Sequence, residues 1–184
     1  MAGYYRKFCQ NFADVVSPLT TLLKRDKKFY WNDECQQAFD RTKAILQTVP
    51  VLTSPNFDKP FKLHIDASDV GAGSVLLQDD DLGIDHPVCY YSKKFVEYQK
   101  HYSTIEKEAL SLLLALQHFE VYLSSTPFPI VVYTDHNPLT FLHKMKNKNH
   151  RLMRWSLAVA DYNIIIKHIK GKDNVIADAL SRAH

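Results

Sequence analysis

Hydrophobic positions change their period along this chain. Up to residue 49 they recur at helical spacing, and beyond residue 60 they alternate as strands do. Tyr4 to Phe12 reads as a short aromatic-rich turn or helix. Ser17-Pro18 predicts an N-cap followed by proline at the first helical position, with Leu19, Leu22 and Leu23 as the apolar stripe. Asn32 or Asp33 caps a further predicted helix to about Leu46, whose Cys35, Ala38, Phe39, Thr42, Ile45 and Leu46 share one face. Pro50, Pro55 and Pro60 mark Thr48 to Pro60 as an extended connector.

Phe61 to Asp66 then alternates strictly, with Phe61, Leu63 and Ile65 on one face and Asp66 on the other. Gly71-Ala72-Gly73 suggests a hairpin into a second strand, Ser74 to Gln78. An acidic loop from Asp79 to Asp85 leads to a third, Val88 to Ser92. Ser103-Thr-Ile-Glu106 fits a capping box opening a helix to about Leu123 that is apolar nearly all round and therefore packed on a sheet. Ile130 to Thr134 is a continuous run of the kind found in an interior parallel strand covered on both faces. A helix from Asn149 to Ala160, a strand from Tyr162 to Ile169, and a terminal helix capped by Asp173 or Asn174 complete the order. The expected fold class is α/β: a five-stranded mixed sheet flanked by helices, preceded by a small helical segment. The expected boundaries are a helical segment over 1–49, a proline-containing linker over 50–60 and the α/β domain over 61–184.

Composition narrows the class. The 184 residues are 46% apolar, with 5 Gly and 8 Pro, which excludes disordered, collagen-like and low-complexity chains. Cys9, Cys35 and Cys89 are odd in number and widely spaced, so neither a disulfide framework nor a zinc ribbon is indicated and a reducing compartment is expected. No apolar run is long enough to span a bilayer, so no membrane partner is expected. The net charge of +3 says little, but Lys144, Lys146, Lys148, Arg151 and Arg154 form a tract without an acid, and Lys24, Arg25, Lys27 and Lys28 are offset only by Asp26. Either tract reads as a solvated face, and a grip on a polyanion would give the Lys144 to Arg154 tract a purpose.

Four acids stand where chemistry could use them. Asp66 ends the first strand, Asp135 ends the β-branched strand, Glu108 lies in the apolar helix, and Asp178 sits between Ala177 and Ala179 in the last helix. Ligands of open α/β sheets bind outside the carboxyl ends of strands, where Asp66 and Asp135 would meet if their strands are parallel neighbours. Glu108 shares a helical face with Leu112, Ala115 and Phe119 and points to the sheet, whereas Glu106 belongs to the cap. Converging carboxylates repel one another unless protons or cations intervene, and hard divalent ions such as Mg²⁺ suit oxygen ligands. Two such ions about 4 Å apart serve phosphodiester hydrolysis.

Asp66-Ala-Ser-Asp-Val-Gly-Ala-Gly, Tyr91-Ser-Lys-Lys, Tyr102-Ser-Thr-Ile-Glu-Lys-Glu-Ala-Leu, Tyr133-Thr-Asp-His-Asn-Pro-Leu and Asn174-Val-Ile-Ala-Asp-Ala-Leu-Ser-Arg together resemble the ribonuclease H domain of gypsy-type LTR retrotransposon reverse transcriptases. Tyr4-Tyr-Arg-Lys-Phe, Asn11-Phe-Ala, Pro18-Leu-Thr and Trp31-Asn-Asp-Glu-Cys-Gln-Gln-Ala-Phe are similar to the thumb or connection region preceding it. The resemblance implies a ribonuclease H-like fold and an endonuclease cutting the RNA strand of RNA–DNA hybrids with two Mg²⁺ or Mn²⁺ ions. Asp66, Glu108, Asp135 and Asp178 then match the family's metal-binding catalytic acids. Asp66, Glu108 and Asp135 would share one ion, and Asp66 with Asp178 the other. Cellular and retroviral relatives carry a mobile histidine before the last acid, where this chain has Lys170-Gly-Lys-Asp-Asn; His168 belongs by pattern to the preceding strand.

Ser68, His136, Asn137, Arg154 and Arg182 are candidate substrate contacts, with an intrahelical pair to Asp178 as the other account of Arg182. Trp155 is expected in the core. No Tyr-x-Asp-Asp motif occurs, so no polymerase activity is expected. Expected partners are the hybrid and the remainder of a reverse transcriptase polyprotein; the oligomeric state is left open by the sequence. The expected location is intracellular: a cytoplasmic particle for a mobile element, or the nucleus for a retained gene. The alternative function is a catalytically inactive, host-retained module that binds nucleic acid or protein.

Overall fold

The computed structural model describes residues 12–24, 28–47, 52–144 and 150–183. The element predicted over Tyr4 to Phe12 lies outside them except for Phe12, as do Cys9, Arg25, Lys27, Lys146 and Lys148. The chain divides into two compact units, Met1–Thr53 and Ser54–His184.

In the first unit, α1 (Phe12–Thr21) and α2 (Asp33–Leu46) pack together, burying Phe12, Cys35, Ala38 and Thr42. Asn32 caps α2, its side chain accepting the Cys35 N–H at 2.9 Å. Phe39 departs from the predicted face: it is 43% exposed and meets Trp31 edge-on. The predicted start at Ser17-Pro18 is also corrected, because α1 already runs from Phe12 and Pro18 lies inside it. The missing Pro18 N–H would have bonded the carbonyl of Asp14, which is exposed and so open to solvent.

The second unit carries the five-stranded mixed sheet: β1 (Lys62–Ala67), β2 (Gly71–Asp79), β3 (Asp85–Lys94), β4 (Ile130–Thr134) and β5 (Ile164–His168), in the order β3-β2-β1-β4-β5. β1 is antiparallel to β2 and parallel to β4, so the connectivity reverses at β1, the strand that carries Asp66. β2 and β3 are antiparallel, and β4 and β5 are parallel. After β3 come a short α3 (Glu97–Lys100), α4 (Thr104–His118), α5 (Glu120–Leu123), a 3₁₀ segment over Asn137–Lys144, α6 (His150–Ala160) and α7 (Val175–Ser181).

The strict alternation of β1 decides which helix lies where. Phe61, Leu63 and Ile65 are fully buried in one cluster with Leu76 of β2, the α4 residues Ala109, Leu112, Ala115 and Leu116, and Leu152 and Val159 of α6. Gly73 of β2 is three residues from Leu76 and therefore on the other face. A Cβ there would collide with the Ser181 amide nitrogen and the Ala177 carbonyl oxygen of α7 and come within 2.7 Å of the Leu180 carbonyl carbon. The helix backbone thus rests directly on the strand, a spacing that only glycine permits.

Gly71-Ala72-Gly73 is accordingly strand and not hairpin turn. The reversal falls at Ser68 to Gly71, closed by the Ser68 N–H on the Gly71 carbonyl at 2.9 Å. β3 is longer than its pattern suggested because a register shift beside Leu76/Leu77 lets Pro87 sit in this edge strand. The long helix predicted to Leu123 breaks at Phe119, whose ring is fully buried and whose backbone leaves helical geometry. In β4, Ile130, Val132 and Thr134 are buried while Val131 and Tyr133 are half-buried. The second face is less covered than expected because α7 lies over β1, β2 and β3.

Gly73→Ala should therefore destabilise the second unit by about 3 kcal/mol, as expected for overpacking against backbone that has no rotamer to give way. Urea unfolding followed by circular dichroism measures it.

Candidate metal centre at the carboxyl edge of the sheet

Asp66 and Asp135 arrive at the same edge for a topological reason: β1 and β4 are parallel neighbours, so their carboxyl ends lie side by side. Glu108 reaches that edge from the first turns of α4, on the same helical face as fully buried Leu112 and Ala115. One carboxylate oxygen from each of Asp66, Glu108 and Asp135 lies within 4.8 Å of the others. Oxygens sharing one Mg²⁺ at about 2.1 Å sit roughly 3–4 Å apart, so a small closing movement suffices.

Burial makes this cluster electrically expensive. Glu108 is 3% exposed and its Oε2 has no hydrogen-bond partner among the described residues. Desolvation, then the charges of Asp66 and Asp135, push its pKa up to about 9, against a smaller opposing effect from the Ala67 N–H. Asp66, 5% exposed, is also raised, first by burial and then by Asp135 and Asp178, while a hydrogen bond from Ser181 opposes the rise. A hydrogen bond to an ionised acceptor contributes about 1.5–3 kcal/mol, whereas desolvating a carboxylate costs several, so the rise wins. A buried oxygen with no donor, beside two further hard oxygen donors, fits a divalent cation.

Asp178 is brought near but not into this group. It lies on α7, its side chain is 44% exposed, and its Oδ1 accepts from Arg182 Nε at 2.8 Å and pairs with Nη2 at 2.7 Å. Arg182 is thus engaged in the intrahelical pair, though Asp178 still acts on Asp66 through its charge.

The other predicted contacts fare differently. Ser68 is engaged within the fold: its hydroxyl donates to the Ser181 carbonyl at 2.6 Å and accepts from the N–H groups of Val70 and Gly71 at 3.2 and 3.1 Å. With its own N–H on Gly71, both groups expected to meet a phosphate are used by the turn and its link to α7. His136 follows Asp135, half-buried, with its N–H on Thr134 Oγ1 at 3.0 Å and its Nε2 without a partner among the described residues. Burial lowers its pKa, opposed by Asp135. Asn137 is exposed at the head of the 3₁₀ segment and Arg154 is exposed on α6. Its neighbour Arg151 stacks over Tyr102 and bonds Glu106 Oε1 at 2.7 Å. Glu106 also takes the N–H and hydroxyl of Ser103, so the cap role read for it holds. Trp155 packs among core side chains and meets Tyr102 at 5.9 Å. His168 ends β5, its Nε2 3.1 Å from the Asp135 carbonyl.

The sequence reading missed the polar residues that hold Asp66 in place. Ser111 Oγ donates to its carbonyl at 2.8 Å, Ser181 Oγ to its Oδ2 at 2.6 Å, and Asn174 Nδ2 to the carbonyl of Ile65 at 2.8 Å. Asn174 precedes α7, but its fully buried side chain goes to β1 and makes no cap bond. Ser111 and Ser181 each stand three residues after an acid, Glu108 and Asp178, which is the spacing that could have flagged them. Gly171 belongs here too, since a Cβ on it would lie 3.0 Å from Asp135 Oδ2.

Residues 56–162 match the family described as the RNase H-like domain found in reverse transcriptase. The chain is 39% identical over 183 residues to the retrovirus-related Pol polyprotein from transposon 297 of Drosophila melanogaster, covering 99% of this chain and 17% of that protein. It is 40% identical over 182 residues to the transposon Tf2-3 polyprotein of Schizosaccharomyces pombe, covering 98% and 14%. The chain thus spans about one-sixth of the length of these curated relatives. Among solved structures, the prototype foamy virus protease-reverse transcriptase superposes with a TM-score of 0.71 at 21% identity, over 91% of this chain and 23% of that one. RNase H1 of the archaeon Halobacterium salinarum gives 0.50 at 17% identity, over 66% and 93%.

The sheet and its acidic edge define an RNase H-like fold. The chain belongs to the RNase H-like domain family found in reverse transcriptases, and its relatives are Pol polyproteins of transposons.

The raised Glu108 pKa has a sign that can be measured. Between about pH 4.5 and 9 the folded, metal-free protein keeps a proton on Glu108 that the unfolded chain has lost, so stability falls as pH rises through that window. Thermal melts in EDTA should decline across it, Glu108→Gln should flatten the decline, and Mg²⁺ or Mn²⁺ should restore wild-type stability at pH 8.

Proposed function

We propose that this chain is the nuclease portion of a retroelement reverse transcriptase and hydrolyses the RNA strand of RNA–DNA hybrids. The observation that carries the reading is the convergence of Asp66, Glu108 and Asp135 from β1, α4 and the end of β4, with a buried Glu108 oxygen that has no donor among the described residues. Asp66, Glu108 and Asp135 would hold one divalent ion, Mg²⁺ or Mn²⁺, and Asp66 with Asp178 a second. Ions bound there would activate a water and offset the charge that develops on the leaving oxygen.

The chain's own groups then have distinct tasks. Asp66, common to both sets, is fixed from both faces of the sheet by Ser111 and Ser181. Glu108, whose proton burial now favours, would hold a divalent ion as the carboxylate. Asp178 is kept in place by Arg182 and stays open to solvent, on the side from which substrate would arrive. Arg154 with its α6 neighbours, and His136 and Asn137 beside Asp135, would meet the hybrid through phosphates and 2′-hydroxyls, the groups through which an A-like duplex is read. A solved foamy virus protease-reverse transcriptase bound to an RNA/DNA hybrid has a similar fold, with a TM-score of 0.54, which supports the choice of substrate. Residues 1–53 would link this nuclease to a polymerase in the longer polyprotein.

Purified protein should cut a labelled RNA–DNA hybrid with Mg²⁺ or Mn²⁺ and stop in EDTA. Asp66→Asn and Asp135→Asn should each lower cleavage by more than about a hundredfold while retaining the fold, since even residues that only orient metal ligands cost 10–100-fold. Hybrid binding without metal-dependent cutting by the wild type would replace this reading with the inactive binding module.

A further inference from the structure

The polar contacts around Asp66 differ in what they hold. Ser111 and Asn174 act on main-chain carbonyls, whereas Ser181 alone among the described residues donates to the carboxylate itself, Oγ to Oδ2 at 2.6 Å. Ser181 is fully buried, and its hydroxyl also lies 2.8 Å from the carbonyl of Asp178. A hydroxyl has one proton to give, and an ionised carboxylate outcompetes a carbonyl for it. Its backbone is equally fixed: the Ser181 amide sits against Gly73, and its carbonyl accepts from Ser68 Oγ at 2.6 Å. The hydroxyl therefore has little freedom to turn elsewhere.

We infer that Ser181 is the positioning residue of the acidic centre: it occupies Asp66 Oδ2, presents the remaining oxygen to the cation, and couples the seating of α7, which carries Asp178, to the orientation of Asp66. The inference rests on the metal-centre reading above and deepens it. Ser181 Oγ spends its proton on Asp66 Oδ2 and acts through that carboxylate, so its effect is on affinity for the ion. Ser92 supplies the contrast, because its hydroxyl also ties α7 to the sheet, bonding the Leu180 carbonyl at 2.6 Å without reaching Asp66.

The test is Mn²⁺ binding to the 184-residue chain, read as loss of the free-ion electron paramagnetic resonance signal, with thermal melts in EDTA alongside. Ser181→Ala should weaken Mn²⁺ binding about tenfold or more, as removal of a hydrogen bond that orients a ligand does. Ser181→Cys, of similar volume and with a weak donor, should fall between it and the wild type. Ser92→Ala should lose thermal stability but keep wild-type affinity. If Ser181→Ala does not fold, Ser181→Cys decides alone. Wild-type affinity in the Ser181 variants, with binding abolished in Asp66→Asn, overturns the inference and leaves the metal centre standing. Equal weakening by Ser92→Ala and Ser181→Ala overturns it as well, assigning the effect to α7 docking alone. A wild type that binds Mn²⁺ no better than Asp66→Asn removes the metal-centre reading itself.

Discussion

Asp66, Glu108 and Asp135 come from two parallel strands and one helix, and Asp66 and Glu108 lose their water on arrival. Their mutual repulsion adds to that desolvation, so the packing around them has to supply the stabilisation. On one side the fully buried face of α4, with Ala109, Leu112, Ala115 and Leu116 against Leu63 and Ile65, carries Glu108 inward with no room to turn away. On the other, α7 lies backbone to backbone on β2 at Gly73. The sheet edge is strained electrically because the layers above and below it are packed so closely.

That arrangement explains which parts of the molecule were legible in the sequence. β1 announced its two faces by strict alternation, and burial of Phe61, Leu63 and Ile65 follows it residue by residue. Glu108 was separable from Glu106 by helical phase alone, since one shares the sheet-facing stripe and the other closes the cap with Ser103. Asp66 and Asp135 were placed by the rule for parallel strand ends, which needs only strand order.

What escaped was contact between layers. Gly71 and Gly73 look like turn residues in any one-dimensional reading, yet Gly73 is there to admit α7 from more than a hundred residues away. Ser68 was placed at a phosphate by proximity to Asp66, but a hydroxyl is short and local backbone amides took it. Pro18 suggested a helix start because its own turn gives no sign that a helix already runs from Phe12. Phe119 broke a helix that the pattern continued because the demand came from the core. Local rules read period and capping well; they are blind to what approaches from elsewhere in the chain.

The link between Ser181 and Asp66 joins residues 115 positions apart. During synthesis the first acid emerges long before the segment that orients it, and β1 must also wait for β4 to gain its parallel neighbour. Contacts of such separation form late, after local helices and the β1–β2–β3 meander. The acidic centre thus gains its full set of contacts late, and a sheet on which α7 has not yet docked holds Asp66 without the hydroxyl that orients it.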